Sequence, residues 1–398
     1  MKIGSIGHIS RTQKILLFLM IGLFIQFFTV PLFGTHLKVY MVCSALILFF
    51  LGFSVSSNGK LPYERIWIFS YIYLAVSIIW ANNAALGVQL ILGETILLTF
   101  YLVLKALLDR LEIDEVEQIF EFSFRFFVYV SIVLYALGFV SIFVLHDEMT
   151  YAVELNETSL RIFGCYKEGV LPRFMGIAES PNNYAYFANI IFWFFVWKGK
   201  TKEAVVTLIT LILTISTTLY LALAVQVFCY YFFGGKLNWK VIILCFGLYY
   251  GLNYIMQFSD VQLIMEDRMA RNATGSGRFE LWEYSLNKIS ESPLIGFGIN
   301  QSRTLFTERE YASSHNNILE MGLSLGYIGS LVYIVFLLSL LKSTFSFSRK
   351  KRIPFVAQIS VAFFIFGFAN NTLHIEYSVF VIVLLSYYMR KLSSLKYA

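Results

Sequence analysis

Two stretches of the chain hold residue types that can act on a charged, hydroxylated substrate. Gly275-Ser276-Gly277-Arg278 places one arginine after a loosened backbone, and Ser314-His315-Asn316 places one histidine where an apolar run begins. A planar guanidinium grips phosphate bidentately. An imidazole titrates near neutrality and can take a proton from a hydroxyl. A second arginine opens the run Arg173-Phe174-Met175-Gly176, which leads to Pro181-Asn182. Proline suits the first turn of a helix, so Arg173 is expected just above a helix start. On spacing alone, Arg173 is equally an interfacial snorkelling arginine, and His315 a hydrogen-bonding helix-end residue. Glu94 falls inside an apolar run, where a carboxylate is costly and signals a function or a buried partner. Glu320, one turn beyond His315, could orient that histidine or face headgroups.

The elements that must position these residues are apolar. Hydrophobic residues make up 58% of the 398, charged residues only 14%, and mean hydropathy is +0.69. A soluble domain carries about a quarter charged residues, and 40 Phe with 25 Tyr exceed what one core can hide. The composition therefore predicts an all-α, polytopic membrane protein. About 20 apolar residues cross the hydrocarbon layer. Twelve such spans are expected, at 14–34, 38–55, 66–82, 86–108, 126–145, 181–197, 203–217, 219–234, 240–257, 315–341, 354–371 and 376–390. The pair 203–217 and 219–234, joined by Ser216-Thr217-Thr218, reads as a tight hairpin or one kinked segment. The first run is too long for a signal-peptide core and lacks a cleavage pattern, so it reads as a retained span. Residues 1–398 then form a single integral membrane domain.

Basic residues cluster in alternate connections, which puts both termini in the cytoplasm by the positive-inside rule. Two long loops, 146–180 and 258–314, are then outside, and they hold more than half of the 25 acidic residues. An anion bound there must be held by particular arginines and not by a basic field. Nothing in the charge distribution points to nucleic acid. Four cysteines (Cys43, Cys165, Cys229 and Cys245) form neither a disulfide framework nor a zinc pattern.

Within the second loop, Phe279, Trp282, Leu286 and Ile289 recur at helical spacing after Arg278, which predicts an amphipathic helix lying flat on the bilayer. Arg278 would sit at its N-terminal end, where free amides favour anions. In the tenth span Gly322 and Gly326 form a small-x-x-x-small step, which predicts close approach of a second helix.

These motifs resemble the O-antigen ligase and O-antigen polymerase superfamily. The resemblance rests on Arg173 and Gly176 before Pro181-Asn182, on Ser276-Gly277-Arg278 with Trp282, on Pro293, Gly296 and Gly298, and on His315-Asn316 followed by Gly326 and Gly329. It covers roughly 170–340 by motif and the whole chain by span count. What it implies is a bacterial cytoplasmic (inner) membrane enzyme, acting on the outer face without metal or other cofactor. Such an enzyme transfers a glycan from undecaprenyl diphosphate to a sugar hydroxyl. Carried over, Arg173 and Arg278 match arginines that hold the diphosphate and His315 matches the base, with Asn316, Glu320 and Arg271 as supporting candidates. The implied partners are the undecaprenyl-diphosphate-linked oligosaccharide donor, a glycan acceptor and membrane lipids, with a chain-length regulator and a flippase as protein candidates. Repeat-unit polymerase is the first reading and transfer of the finished chain to the lipid A core the second. A transporter, with Glu94 as coupling carboxylate, is the alternative of another class, although the expected halves and midplane breaks of transporters are not evident. Relatives often carry an arginine between the seventh and eighth spans; Ile215-Ser216-Thr217-Thr218-Leu219-Tyr220 has none, and Arg161, Arg271 or Arg303 is a candidate substitute.

Overall fold

The computed structural model describes residues 10–26, 29–32, 35–51, 61–146, 152–156, 159–167, 172–234, 278–306 and 313–394. The expected ninth span (240–257), the Gly275-Ser276-Gly277 turn, Cys245 and Arg271 lie outside them. Thirteen α-helices are present among the described residues. They are α1 Arg11–Phe24, α2 Val39–Leu51, α3 Pro62–Val76, α4 Ala84–Asp109, α5 Ile113–Phe143, α6 Pro181–Trp197, α7 Thr201–Leu213, α8 Thr217–Phe232, α9 Arg278–Glu291, α10 Ser302–Leu305, α11 Asn317–Lys351, α12 Pro354–Ala369 and α13 Glu376–Ser394. Three of them, α4, α5 and α11, are long and apolar enough to cross a membrane by length and composition.

Local chemistry sets several helix starts. Ser180 caps α6 by accepting from the Asn183 amide, with Pro181 in the first turn. Ser10 and Gln13 form a reciprocal capping box on α1. The helices α6, α12 and α13 are buried on nearly every face, as expected of helices apolar all round. Around them Phe24, Phe124, Phe127, Phe187 and Phe380 interlock, with ring centroids 5.1–6.4 Å apart. Large apolar side chains also face outward, among them Phe49, Phe50, Ile79, Phe228 and Phe232. A soluble protein rarely exposes so much apolar surface.

Two connections between helices depart from an all-helical expectation. The first apolar run does not stay helical to residue 34: α1 stops at Phe24, and a hairpin of β1 (Thr29–Leu32) and β2 (Thr35–Lys38) follows. The loop 146–180 contains a four-stranded antiparallel meander, β3 (Ala152–Asn156), β4 (Ser159–Ile162), β5 (Cys165–Lys167) and β6 (Arg173–Phe174). The sheet is pinned to α5 at Gly176, whose φ is +57° and where a Cβ would lie 2.4 Å from Ser131 Cβ. The Ser131 hydroxyl accepts from the Ile177 amide at 3.1 Å.

The tenth apolar run is not one straight span. Its helix α11 breaks at Gly326, which has φ +67° and ψ −165°. An unbroken helix would set Asn317 and Tyr333 about 24 Å apart at 1.5 Å per residue; their side chains instead hydrogen-bond at 2.9 Å. The Ser330 hydroxyl likewise donates to the Ile318 carbonyl at 2.9 Å. The arm 317–325 therefore folds back against the rest of the helix. Gly326 is the hinge, which corrects its expected role as a helix-packing step. Pro293, Gly296 and Gly298 lock the break. Phe297 and Gly298 amides donate to the Leu323 and Ser324 carbonyls at 2.8 and 3.0 Å, and the Tyr327 amide donates to the Pro293 carbonyl at 2.7 Å. Any side chain at 326 would meet that carbonyl at 2.5 Å.

Two ends of the bundle follow from α4 and α13. His374, just before α13, contacts Glu94 early in α4, while Arg390, late in α13, pairs with Asp109 at 2.9 Å where α4 ends. The two helices run parallel, and Arg173, Arg278 and His315 belong to the end that carries His374.

Candidate functional site

Arg173 and Arg278, 105 positions apart in sequence numbering, are joined through one polar bridge. Arg173 Nε donates to the Thr214 carbonyl at 2.9 Å and its Nη2 reaches Asn182 Oδ1 at 3.4 Å. Arg278 Nη1 reaches Thr218 Oγ1 at 3.5 Å and its Nη2 reaches Asn370 Oδ1 at 3.4 Å. Asn182 Nδ2 then donates to Asn370 Oδ1 at 3.3 Å, and the Ser216 hydroxyl donates to Asn182 Oδ1 at 3.0 Å. Across the sheet, Tyr166 pairs with Arg173 and its ring lies 5.7 Å from the guanidinium carbon.

Both arginines thus close over the Thr214–Thr218 connection. The connection separates two helices, which settles 203–217 and 219–234 as a pair. Ile215 within it has φ +50°, an outlier for a β-branched residue, and such strain collects at functional sites. Of the substitutes considered, Arg161 donates to the Phe163 and Gly176 carbonyls at 3.0 and 3.3 Å and supports the sheet. Burial lowers its pKa to about 10, against the pull of Glu179.

His315 stands at the mouth of the arm 317–325, also left-handed at φ +50°. Burial, and next the positive charge of Arg278, lower its pKa from 6.5 to about 4. It is therefore a neutral imidazole at pH 7, able to accept a proton, and close enough to Arg278 to feel its field. The supporting candidates act differently from one another. Asn316 caps the arm, accepting from the Ile318 and Leu319 amides at 2.9 and 3.2 Å. Glu320 accepts from the Ser314 hydroxyl at 3.2 Å and so fixes the turn that carries His315.

The sequence did not disclose the residue that organises this end. Asn317 Oδ1 accepts from the Thr372 and Leu373 amides at 2.9 and 3.1 Å, while its Nδ2 donates to Tyr333 and Thr372 hydroxyls at 2.9 and 3.0 Å. That knot holds the α12–α13 turn, which supplies Asn370 to the arginines and His374 to Glu94. Paired asparagines at the edges of apolar runs, Asn316-Asn317 before one and Asn370-Asn371 after another, were the sole signal. Glu94 gains the buried partner that its position demanded, His374 Nδ1, although that histidine had no distinguishing sequence context. Burial disfavours the His374 cation, but the Glu94 carboxylate outweighs it and raises the pKa.

The amphipathic helix is present as α9, with a different buried face. Leu281, Ser285 and Ile289 pack on α11 beside Phe306 and Leu323. Phe279 and Leu286 remain 58% and 47% exposed, so the expected stripe is split between core and surface.

Apolar helices of spanning length fit a helical integral membrane protein, and two arginines and a neutral histidine gather at one end of the described bundle. The family model for O-Antigen ligase matches residues 204–334, a segment that contains Arg278, His315 and the Gly326 break, and this match supports the resemblance to the O-antigen ligase and polymerase superfamily. No curated protein matches the chain.

Proposed function

We propose that the protein is a glycosyltransferase of the outer face of the cytoplasmic membrane, moving a glycan from undecaprenyl diphosphate to a sugar hydroxyl as the repeat-unit polymerase. The observation that carries this reading is the Arg173–Asn182–Asn370–Arg278 bridge with neutral His315 in the field of Arg278. The acceptor oxygen attacks the anomeric carbon, and the bond from that carbon to the diphosphate oxygen breaks with its electron pair on the phosphate. Arg173 and Arg278 stabilise the charge that grows there, which favours the transition state over the ground state. His315 takes the hydroxyl proton. A bound diphosphate offsets the Arg278 field, so the base strengthens only once the donor is in place.

Phe279 and Leu286, exposed on α9, suit contact with the polyprenyl chain or bilayer. The family description supports a second reading, transfer of the finished chain to the lipid A core. Two experiments separate the outcomes. Purified protein in nanodiscs with lipid-linked repeat units is expected to release undecaprenyl diphosphate, and His315→Ala to stop release at unchanged melting temperature. Undiminished release by that variant would remove His315 from the mechanism. Deletion in the host is expected to leave single repeat units on the lipid A core; polymerised chains stranded on the carrier would mean the ligase.

A further inference from the structure

A second polar space lies beside the arginine bridge. A cavity of about 270 Å³ is bordered by Asn300, Arg303, Ser313, Glu320, Asn371 and His374. We propose that this cavity holds the acceptor, taking one sugar ring of the glycan whose hydroxyl attacks; this rests on the transferase reading above.

The side chains fit that ligand class. Each ring hydroxyl both donates and accepts, and the wall offers amides, a carboxylate, an imidazole, a guanidinium and a hydroxyl within one small volume. Acceptor capacity is left over as well. Asn371 Oδ1 is buried and has no hydrogen-bond partner among the described residues. A buried acceptor without a partner costs free energy that a ligand hydroxyl recovers. The volume lies just under the ~300 Å³ at which drug-sized pockets begin, which suits one ring and not a chain.

Position supports the assignment. Asn370 faces the arginines and its neighbour Asn371 faces the cavity, so one turn pinned by Asn317 separates the two spaces. Ser313 borders the cavity two residues before His315, and Glu320, which fixes that turn through Ser314, borders it too. Donor diphosphate and acceptor ring are thereby held on opposite sides of one dipeptide, with the base at their junction. Glu94 behind His374 holds the Nδ1 side of the imidazole and raises its pKa.

The probe is the free repeat-unit oligosaccharide, cleaved from the host's lipid carrier by mild acid so that it carries no diphosphate. Its binding to the full chain in nanodiscs is read by tryptophan fluorescence. Asn371→Leu and His374→Gln are expected to weaken that binding by about tenfold or more, the worth of one or two hydrogen bonds to a ligand. Farnesyl diphosphate should bind both variants as it binds wild type. Should Asn371→Leu fail to fold, Ser313→Phe, at a half-buried rim position, blocks the same space and should show the same loss. Oligosaccharide affinity unchanged in folded variants, or no binding by a wild type that still releases undecaprenyl diphosphate, overturns the cavity assignment and leaves the transferase intact. Binding lost in the variants of a protein that releases no diphosphate would leave the cavity a glycan site and remove the transferase.

Discussion

Two cation arrangements occupy opposite ends of the bundle, one buried and one half-buried, and they are held in different ways. At the far end Lys105 Nζ meets Glu64 Oε1 at 2.7 Å, with exposures of 3% and 0%, and the Tyr101 hydroxyl donates to the same carboxylate at 2.7 Å. At the other end, the described contacts of Arg173 and Arg278 are to a carbonyl, two amide oxygens and a hydroxyl. A carboxylate at hydrogen-bond distance cancels a charge, which is how a buried lysine becomes tolerable. The neutral oxygens fix where the guanidiniums point, and the Arg278 charge, after burial, lowers the His315 pKa.

Substitutions can break that contrast. His315→Ala is expected to lower turnover by about 10²–10⁴, the usual worth of a general base, with melting temperature nearly unchanged. Lys105→Ala should do the reverse. It strands Glu64 and costs about 3–5 kcal/mol of stability, read by thermal unfolding, while turnover per folded molecule is kept. Arg278→Gln should reduce turnover by about 10²–10³, comparable to removing one preorganised donor. A large stability loss there instead would make the arginine structural. Gly326→Ala is expected to cost about 1–3 kcal/mol or more through the strained φ, with loss of both spaces because the arm 317–325 can no longer fold back.

The smallest effect is on pH. His315 has its folded pKa below the unfolded one, so the stability it contributes is complete above about 6.5 and is lost as pH falls towards about 4. Melting temperature measured from pH 7 to 4.5 should therefore drop further for wild type than for His315→Gln. In kinetics, the acid limb of kcat should lie above that of kcat/KM, because donor diphosphate raises the imidazole pKa. Coincident limbs would mean that the anion does not reach His315.

The α6 helix was legible to the residue, since Pro181 and its apolar run carry both the start signal and the reason for burial. Arg173, Arg278 and His315 were also singled out in the sequence, and the structure brings them to one end of the bundle. The β-hairpin after α1 was hidden because β-branched and apolar residues satisfy a membrane helix as well as a strand. The Gly326 break was hidden because a glycine four residues from another reads equally as a packing step. What locks it, the Pro293 carbonyl and the Phe297 and Gly298 amides, is backbone without sequence identity.

Composition and periodicity fixed what this chain can dissolve in and which side chains could do chemistry, because both follow from neighbours along the chain. Tertiary structure alone chose which of those side chains meet. Asn182 touches Asn370 across 188 positions and Glu94 touches His374 across 280. Contacts made within hydrogen-bond length depend on how several helices stack, and local sequence does not encode that stacking.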